Sequence, residues 1–475
     1  MILVHSRFER FALVNHSGRL LFDNISIFFE FSRVIFGWQT MNAQSPVDVV
    51  VWLVRDTCRL QDNPAFDRAL EEAKTRSAIV LALACVEPRR WKDEQFGLSR
   101  SGPQWRRFRA ESLVALRESF EQKNSRLWIA AGTPSDVISN FPPHVHVTTV
   151  VTDLPVAPDE EKENASLVAL GLEVLAVQAD ELFDAAQIKN ALDELPSSFT
   201  KFRKTIEKKQ GATPPEPIGA VTPSAPLSQP WKDPDDLDTA LAVAVSTSTE
   251  VEARGGENAA QIIWRDYLES GALSSYKKTR NAFFGTTQSS HLSAWLAHGC
   301  LSARMMWHDI LDYERQNGAN ESTYWLRFEL LWREFFRWYS RETGSRLFQS
   351  EGPSGGTVVY QENPAGFLQW CGGQTGVDIV DAAMRELAWT GWLSNRARQL
   401  VASYLIYDLK LDWRLGAAWF ESQLVDFDVS SNWGNWAYIA GVGPDPRGGR
   451  IFNLESQAER YDSDQRYRTR WLNTQ

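Results

Sequence analysis

The sequence predicts an N-terminal α/β, Rossmann-like domain built on a parallel sheet, followed by a large all-α domain. Three observations predict it. Apolar strands alternate with amphipathic helical stretches from Val47 to about Val177, a proline-rich stretch covers 210–257, and helical patterning runs from Gln261 to the end.

Taken in order, residues 1–46 precede the first strand and fit no βα unit, so they stand as an N-terminal extension, with Met1 and Met41 both candidate starts. "VDVVVWLV", "SAIVLALACV", "RLWIAA", "VHVTTVVV" and "GLEVLAV" read as strands, with helices near 64–75, 105–122 and 159–170 between them. Strand and helix in turn over 47–180 imply a doubly wound sheet. No GxGxxG follows the first strand, so a dinucleotide fingerprint is missing from this domain. Residues 210–257 carry seven prolines and a single aromatic, Trp231, the composition of an extended connector, and the connector is drawn at 181–260. From 261 to 475 helices alternate with short Gly- or Asn-bearing turns.

Lys and Arg number 50 against 60 Asp and Glu, a net charge of -10, so a nucleic-acid partner must be met by a local basic face. The four cysteines are far apart with no CxxC pairing, which fits a reducing compartment and gives neither a metal site nor a disulfide framework. No run reaches the roughly 18 apolar residues of a membrane span. The first 40 residues mix charges among apolar clusters, unlike a signal peptide. A cytoplasmic chain without membrane contact is expected, and it is read as a monomer.

Four segments carry chemistry. "NESTYWLRFELLWREFFRWYSRETG" reads as one helix entered through the cap-forming residues Asn320, Ser322 and Thr323 and closed by Gly344, with Glu329 on a stripe beside Trp325, Trp332 and Phe336. Glu329 either pairs with Arg333 at i+4 on a half-exposed edge or is a buried carboxyl that needs a donor. "GWLSNRARQLVASYLIYDLKLDW" places Asn395, Arg398 and Gln399 on one helix face with the small Ala402, room for a planar ligand or ordinary surface. "TTQSSHLSAWLAHG" puts Ser289, Ser290 and Ser293 at a helix opening, for an anion or for plain capping. Asp426 and Asp428 close to Asn432 serve either a turn or Arg398 and the ring N–H groups of a ligand. Together these segments hold the inventory expected around a flavin dinucleotide.

In sequence, "TKFRKTIE", "YKKTRN", "GCLS", "NESTYWLRFELLWREFFR", "DAAMRELAWTGWLSNRARQLVASYLIYDLKLDWRLGAAWFE" and "DFDVSSNWGNWAYIAGVGPDPRGGRIFN" resemble the photolyase and cryptochrome family, and within it the DASH branch. The resemblance covers about 47–471 and is dense after 270. It implies an α/β antenna domain and a helical domain holding FAD. Carried across, Tyr276, Ser289, Ser290, His291, Leu292, Ser293, Arg333, Arg398, Asp426, Phe427, Asp428, Asn432 and Asn435 would hold FAD, with Asn432 facing the flavin N5. Glu329, Trp332, Asn395, Gln399 and Tyr438 would line a pocket for a flipped pyrimidine dimer, with Arg280, Arg396 and Gln457 on the strand. Glu329, Asn395 and Asn432 would be the catalytic group. Trp436 and Trp413 match two members of an electron relay whose third position is Tyr360, with Trp389 as another exit.

The activity so implied is light-driven repair of cyclobutane pyrimidine dimers by electron transfer from reduced FAD. Gln399 and Tyr438 replace the Met and Trp usual in duplex-active members, so single-stranded or damaged DNA is the expected partner. The alternative is a blue-light receptor with little repair, and a nucleic-acid-binding regulator without light chemistry is a third reading. Methenyltetrahydrofolate is the antenna the family suggests. Against it stand Thr57 in place of Asp, the lack of a clear gripping glutamate in "TDLPVAPDEE", and Val377 and Asp378 in place of an aromatic-Pro pair.

Overall fold

The computed structural model describes residues 46–87, 94–192, 196, 198–210, 213–220, 223, 254–285, 287–356, 359–445 and 447–473. The predicted extension over 1–46, apart from Pro46, lies outside them, as do residues 224–253 of the predicted connector. Residues 47–475 belong to one compact unit.

The five predicted strands form: β1 (Val47–Val54), β2 (Ile79–Val86), β3 (Leu127–Ala131), β4 (Val145–Asp153) and β5 (Glu173–Val177). Every pairing is parallel, in the order β3-β2-β1-β4-β5, with Val51 paired to both Leu81 and Val150. Helices α1 (Pro64–Arg76), α2 (Pro103–Glu121), α3 (Pro134–Ser139) and α4 (Pro158–Ala169) connect them, each with proline in its first turn, where no backbone donor is missed.

Period 2 sorts β1 onto both faces. Val50, Trp52 and Val54 join a core with Phe66, Phe108 and Phe120, whereas Val49, Val51 and Leu53 pack with Leu81, Leu83, Val150 and Leu167. A sheet buried on both faces is what a near-continuous β-branched run specifies.

After β5 the described residues are helical: α5 (Ala185–Ala191), α6 (Phe199–Gln210), α7 (Glu257–Glu269), α8 (Tyr276–Thr279), α9 (Ser293–Ala297), α10 (Ala303–Asn317) and α11 (Glu321–Thr343). Then come α12 (Pro364–Cys371), α13 (Asp378–Thr390), α14 (Asn395–Ser403), α15 (Trp413–Gln423), α16 (Val429–Ala440), α17 (Leu454–Tyr461) and α18 (Arg466–Leu472). Two of these, α5 and α6, lie inside the stretch drawn as connector.

The sheet and the helices share a core and a set of buried ion pairs. Asp180, just past β5, faces Arg59 at 3.0 Å, Arg337 at 3.9 Å and Arg333, while Glu181 holds Arg337 at 3.1 Å and Arg341. Gly299 belongs to the same seam, since a Cβ there would stand 1.6 Å from the Asp56 carbonyl oxygen and its φ is +62°.

At the other end α13 is tied to α18 by the Tyr467 hydroxyl, which donates to Glu386. Burial pushes the Glu386 carboxyl up to about 8, against opposing contributions from the Tyr467 bond, Arg470 and Arg398. Between about pH 4.5 and 8 the folded state therefore keeps a proton that the unfolded chain releases, so this group lowers stability as pH rises, by at most ~1.4 kcal/mol per unit. Glu386→Gln is expected to flatten the fall in unfolding midpoint from pH 5 to 8. Identical pH slopes for the two proteins in urea titrations would refute the assignment.

Candidate functional site

Helix α11 forms as its sequence specifies. Asn320 accepts from the Ser322 and Thr323 amides, the Thr323 hydroxyl side accepts from Asn320 N, and Gly344 ends the helix with φ at +53°. Its aromatic stripe faces a cleft of about 500 Å3. Trp332 stacks on Phe199 with centroids 3.7 Å apart and meets Tyr438 edge-on at 5.5 Å.

Of the two readings of Glu329, the pairing with Arg333 does not form. Arg333 donates to the Asp180 carbonyl at 2.8 Å and pairs with the Asp180 carboxylate, so its reach is taken by the sheet domain. Glu329 turns to Arg280, which lies just past α8, and its Oε1 also accepts from Trp325 Nε1 at 3.0 Å. Burial raises the Glu329 carboxyl above its ordinary range, opposed by Arg280 and by the Trp325 bond.

Four arginines line this cleft, Arg280, Arg333, Arg396 and Arg450, against one carboxylate, Glu329, among the described residues. This is the local basic face that a chain of net charge -10 requires for an anionic strand. Arg450 also contacts the Tyr438 hydroxyl, lies 4.8 Å over its ring and is held at 2.7 Å by Asp445, whose side chain is fully buried. Sequence reasoning missed Arg450, Asp445 and Phe199. The turn string "GPDPRGGR" was the available signal.

Behind the cleft lies a cavity of about 100 Å3, large enough for the edge of a ring system. Cleft and cavity share Asn395, Gln399, Ser431, Asn435 and Ile439 as wall. Ser394 caps α14 by accepting from the Ala397 amide, which sets Asn395, Arg398, Gln399 and Ala402 on the cavity side as predicted. The long helix anticipated there stops at Ser403 and continues as a wider π turn over Tyr404–Asp408.

The two aspartates divide the roles left open above. Asp428 caps α16 by accepting from the Ser431 amide at 2.6 Å, whereas Asp426 Oδ2 pairs with Arg398 Nη2 at 2.7 Å. Burial would raise Asp428, but Arg337 and Arg333 outweigh it and hold the carboxyl below its usual value. Asp426 Oδ1 is buried without a hydrogen-bond partner, an arrangement that a ligand N–H would complete. Asn432 also lines the cavity, its Nδ2 donating to the Ala417 carbonyl at 3.0 Å. The residues present thus fit the edge of a flavin ring.

Phe427 lies apart from this cavity, on a second cleft of about 500 Å3 between sheet and helices that also takes in Asp56, Trp105 and Phe348. It opens beyond the carboxyl ends of β1 and β4, where the strand order reverses. Thr57 is turned away from solvent there and donates to Asp153 at 3.0 Å.

The serine segment differs from its prediction. Helix α9 begins only at Ser293 after His291 takes a φ of +53°, so Ser289 and Ser290 precede it in irregular backbone. Leu292 is buried, the His291 ring nitrogen Nε2 is 3.0 Å from the Gly285 carbonyl, and Tyr276 is buried at the start of α8. Gln457 lies on α17 with a buried Oε1 that has no partner.

Trp436 and Trp413 are both buried, and Gly416 carries no Cβ because one would sit 2.2 Å from the Trp436 indole. Trp413 Nε1 and the Tyr360 hydroxyl both donate to the Ser350 carbonyl, at 3.1 and 3.5 Å. Tyr360, expected as the third relay member, thus shares a hydrogen-bond acceptor with Trp413. Trp370 and Phe420 meet Trp436 edge-on at 6.2 and 5.1 Å, whereas Trp389 is 44% exposed.

Comparison with known proteins gives the same picture. A family profile described as FAD binding domain of DNA photolyase matches residues 325–474, and one described as DNA photolyase matches 49–219. Cryptochrome DASH from Gloeobacter violaceus is 40% identical over 89% of this chain and 85% of its own length, and that from Xenopus laevis is 36% identical over 90% and 83%. The crystal structure of a Synechocystis cryptochrome superposes with a TM-score of 0.82 at 35% identity, covering 91% of this chain and 89% of that one. A class III photolyase from Agrobacterium tumefaciens gives 0.76 at 26%, covering 91% and 88%.

Proposed function

This chain belongs to the DNA photolyase and cryptochrome family, with DASH cryptochromes among its relatives, and we propose that it repairs cyclobutane pyrimidine dimers in light, preferentially in single strands. One observation carries the reading: the cavity suited to the flavin edge and the basic, aromatic cleft share a wall of five residues. FAD held in the cavity would supply, in its reduced and light-excited form, reversible one-electron chemistry toward the dimer.

The chain's own residues bind, orient and shield. Asp426, oriented by Arg398, would accept from the ring edge through its unpartnered Oδ1, and Asn432 and Asn435 would complete that wall. Trp332 and Tyr438 give the flat sides against which a flipped dimer rests, and Asn395 and Gln399 meet its polar edges. Glu329 stabilises charge developing on the dimer in this desolvated setting. Arg280, Arg396 and Arg450 take the phosphates.

Strand choice follows from polarity. Gln399 and Tyr438 recover less apolar contact than a thioether and an indole would, while extraction from a duplex costs a few kcal/mol, so the single strand is favoured. The glutamates around the second cleft are already engaged within the chain and do not favour a methenyltetrahydrofolate antenna. In the second cleft Glu160 is engaged with the Val156 amide and Glu421 with Arg100 and Trp433, and Thr57 is buried outside its lining against Asp153.

Reduced protein illuminated with a dimer-bearing oligonucleotide is expected to clear the dimer from the single strand much faster than from the duplex. Normal flavin photoreduction with no dimer loss in either strand would favour the light-receptor reading instead. Strand binding by flavin-free protein, with no light response, would favour the regulator.

A further inference from the structure

Within the cleft the sole carboxylate among the described lining residues is paired with an arginine assigned above to the strand. Arg280 Nη1 meets Glu329 Oε1, and the same oxygen accepts from Trp325 Nε1. The two side chains are 18% and 29% exposed, so both stand at the cleft surface. Arg280 also lies 5.4 Å over the Trp325 ring and Lys277 4.7 Å from it, which gathers two cations at one tryptophan.

We propose that strand binding breaks this pair: a backbone phosphate takes Arg280, and Glu329, left without its cation, takes a proton from solvent. The inference rests on the reading that the cleft accepts a DNA strand. Arg280 meets Glu329 through Nη1, and a phosphate that engages the guanidinium edge bearing that nitrogen competes with Glu329 for it. A carboxylate that loses its counter-ion in a cleft being emptied of water is better off neutral. No bond other than O–H forms, and the proton comes from buffer. Glu329 then reaches the dimer as a hydrogen-bond donor.

The remaining charged and titratable groups around Glu329 leave room for this. Tyr276 on α8 is a neutral phenol held well above its ordinary range by burial, with Glu329 adding to the rise. Arg333 on α11 is held by Asp180, and Arg450 is held by Asp445 and faces Tyr438 of α16. Arg396 on α14 lies 5.5 Å over Phe452 and 5.3 Å over Tyr461. Arg280 is therefore the cation whose departure changes the state of Glu329. Burial already biases that carboxyl toward its proton.

The test is calorimetric titration of the flavin-loaded protein with a short single strand carrying one thymine dimer, in buffers of different ionisation enthalpy. Proton uptake approaching one per strand is expected. Affinity should rise as pH falls, by up to tenfold per unit between the bound and free pKa of Glu329. Glu329→Gln is expected to bind with no uptake and no such pH dependence. Arg280→Gln is expected to show reduced uptake, since its Glu329 already holds the proton, with a salt slope shallower by about one phosphate contact. Binding without proton uptake in the native protein, or uptake unchanged in either variant, overturns the switch and leaves the repair reading intact. Absence of strand binding overturns both.

Discussion

Asp426→Asn protein is expected to fold and to purify with little of its yellow colour. The substitution keeps the shape of the side chain and changes only what its two oxygens do. In the native chain Oδ2 is held at 2.7 Å by Arg398, and Oδ1 is buried without a partner. An amide in this place keeps one acceptor. Either its NH2 group faces the Arg398 guanidinium, donor against donor, or it faces the N–H edge of the flavin. A hydrogen bond to a charged group contributes about 1.5–3 kcal/mol, so FAD affinity should fall roughly tenfold to 150-fold. The measurement is flavin content after dialysis, followed by rebinding of added FAD monitored by fluorescence. Native occupancy with an unchanged Kd would mean that Asp426 does not touch the ring and that the cavity serves something else.

Much of this site was readable because it lies on helix faces. Asn395, Arg398, Gln399 and Ala402 share one side of α14 by spacing alone, and the structure sets all four on the cavity. The sheet was equally legible, since a strand buried on both faces is written as an unbroken apolar run. What failed was pairing at a distance. Arg333 stands four residues after Glu329, yet it answers Asp180, 153 residues earlier in the chain, and Glu329 answers Arg280, 49 residues earlier. Local spacing brings charges within reach of each other without deciding which partner is buried more deeply. Helix ends failed for a related reason: the left-handed His291 and the π turn after Ser403 are set by packing, which overrides a pattern that continues through them.

Asp180→Leu is expected to destabilise the folded unit by about 3–5 kcal/mol, whereas Glu72→Ala at an exposed ion pair should cost less than about 1. Both residues pair with arginine, so counting salt bridges would rank them alike. Their surroundings differ. Glu72 is itself 12% exposed, but the Arg68 and Arg76 side chains it pairs with are 48% and 36% exposed, and water replaces the lost carboxylate at both. Asp180 is 2% exposed at its side chain and faces Arg59 at 1%, Arg337 at 3% and Arg333 at 11%. Removal leaves Arg59 and Arg337 where water hardly reaches, while Arg333 still faces the cleft. Arg59 keeps carbonyl partners in Asp62, Ala179 and Gly299, which places the expected loss near the lower end of the range. Urea unfolding midpoints of the two variants decide the matter, and a loss below about 1 kcal/mol for Asp180→Leu would show that the cluster relaxes and rehydrates. Flavin retention supplies a second readout. Arg337, released from Asp180, keeps Glu181 and the longer contact to Asp428 at 3.7 Å. The cap of α16, and with it the Asn432 wall, should therefore loosen before the sheet does.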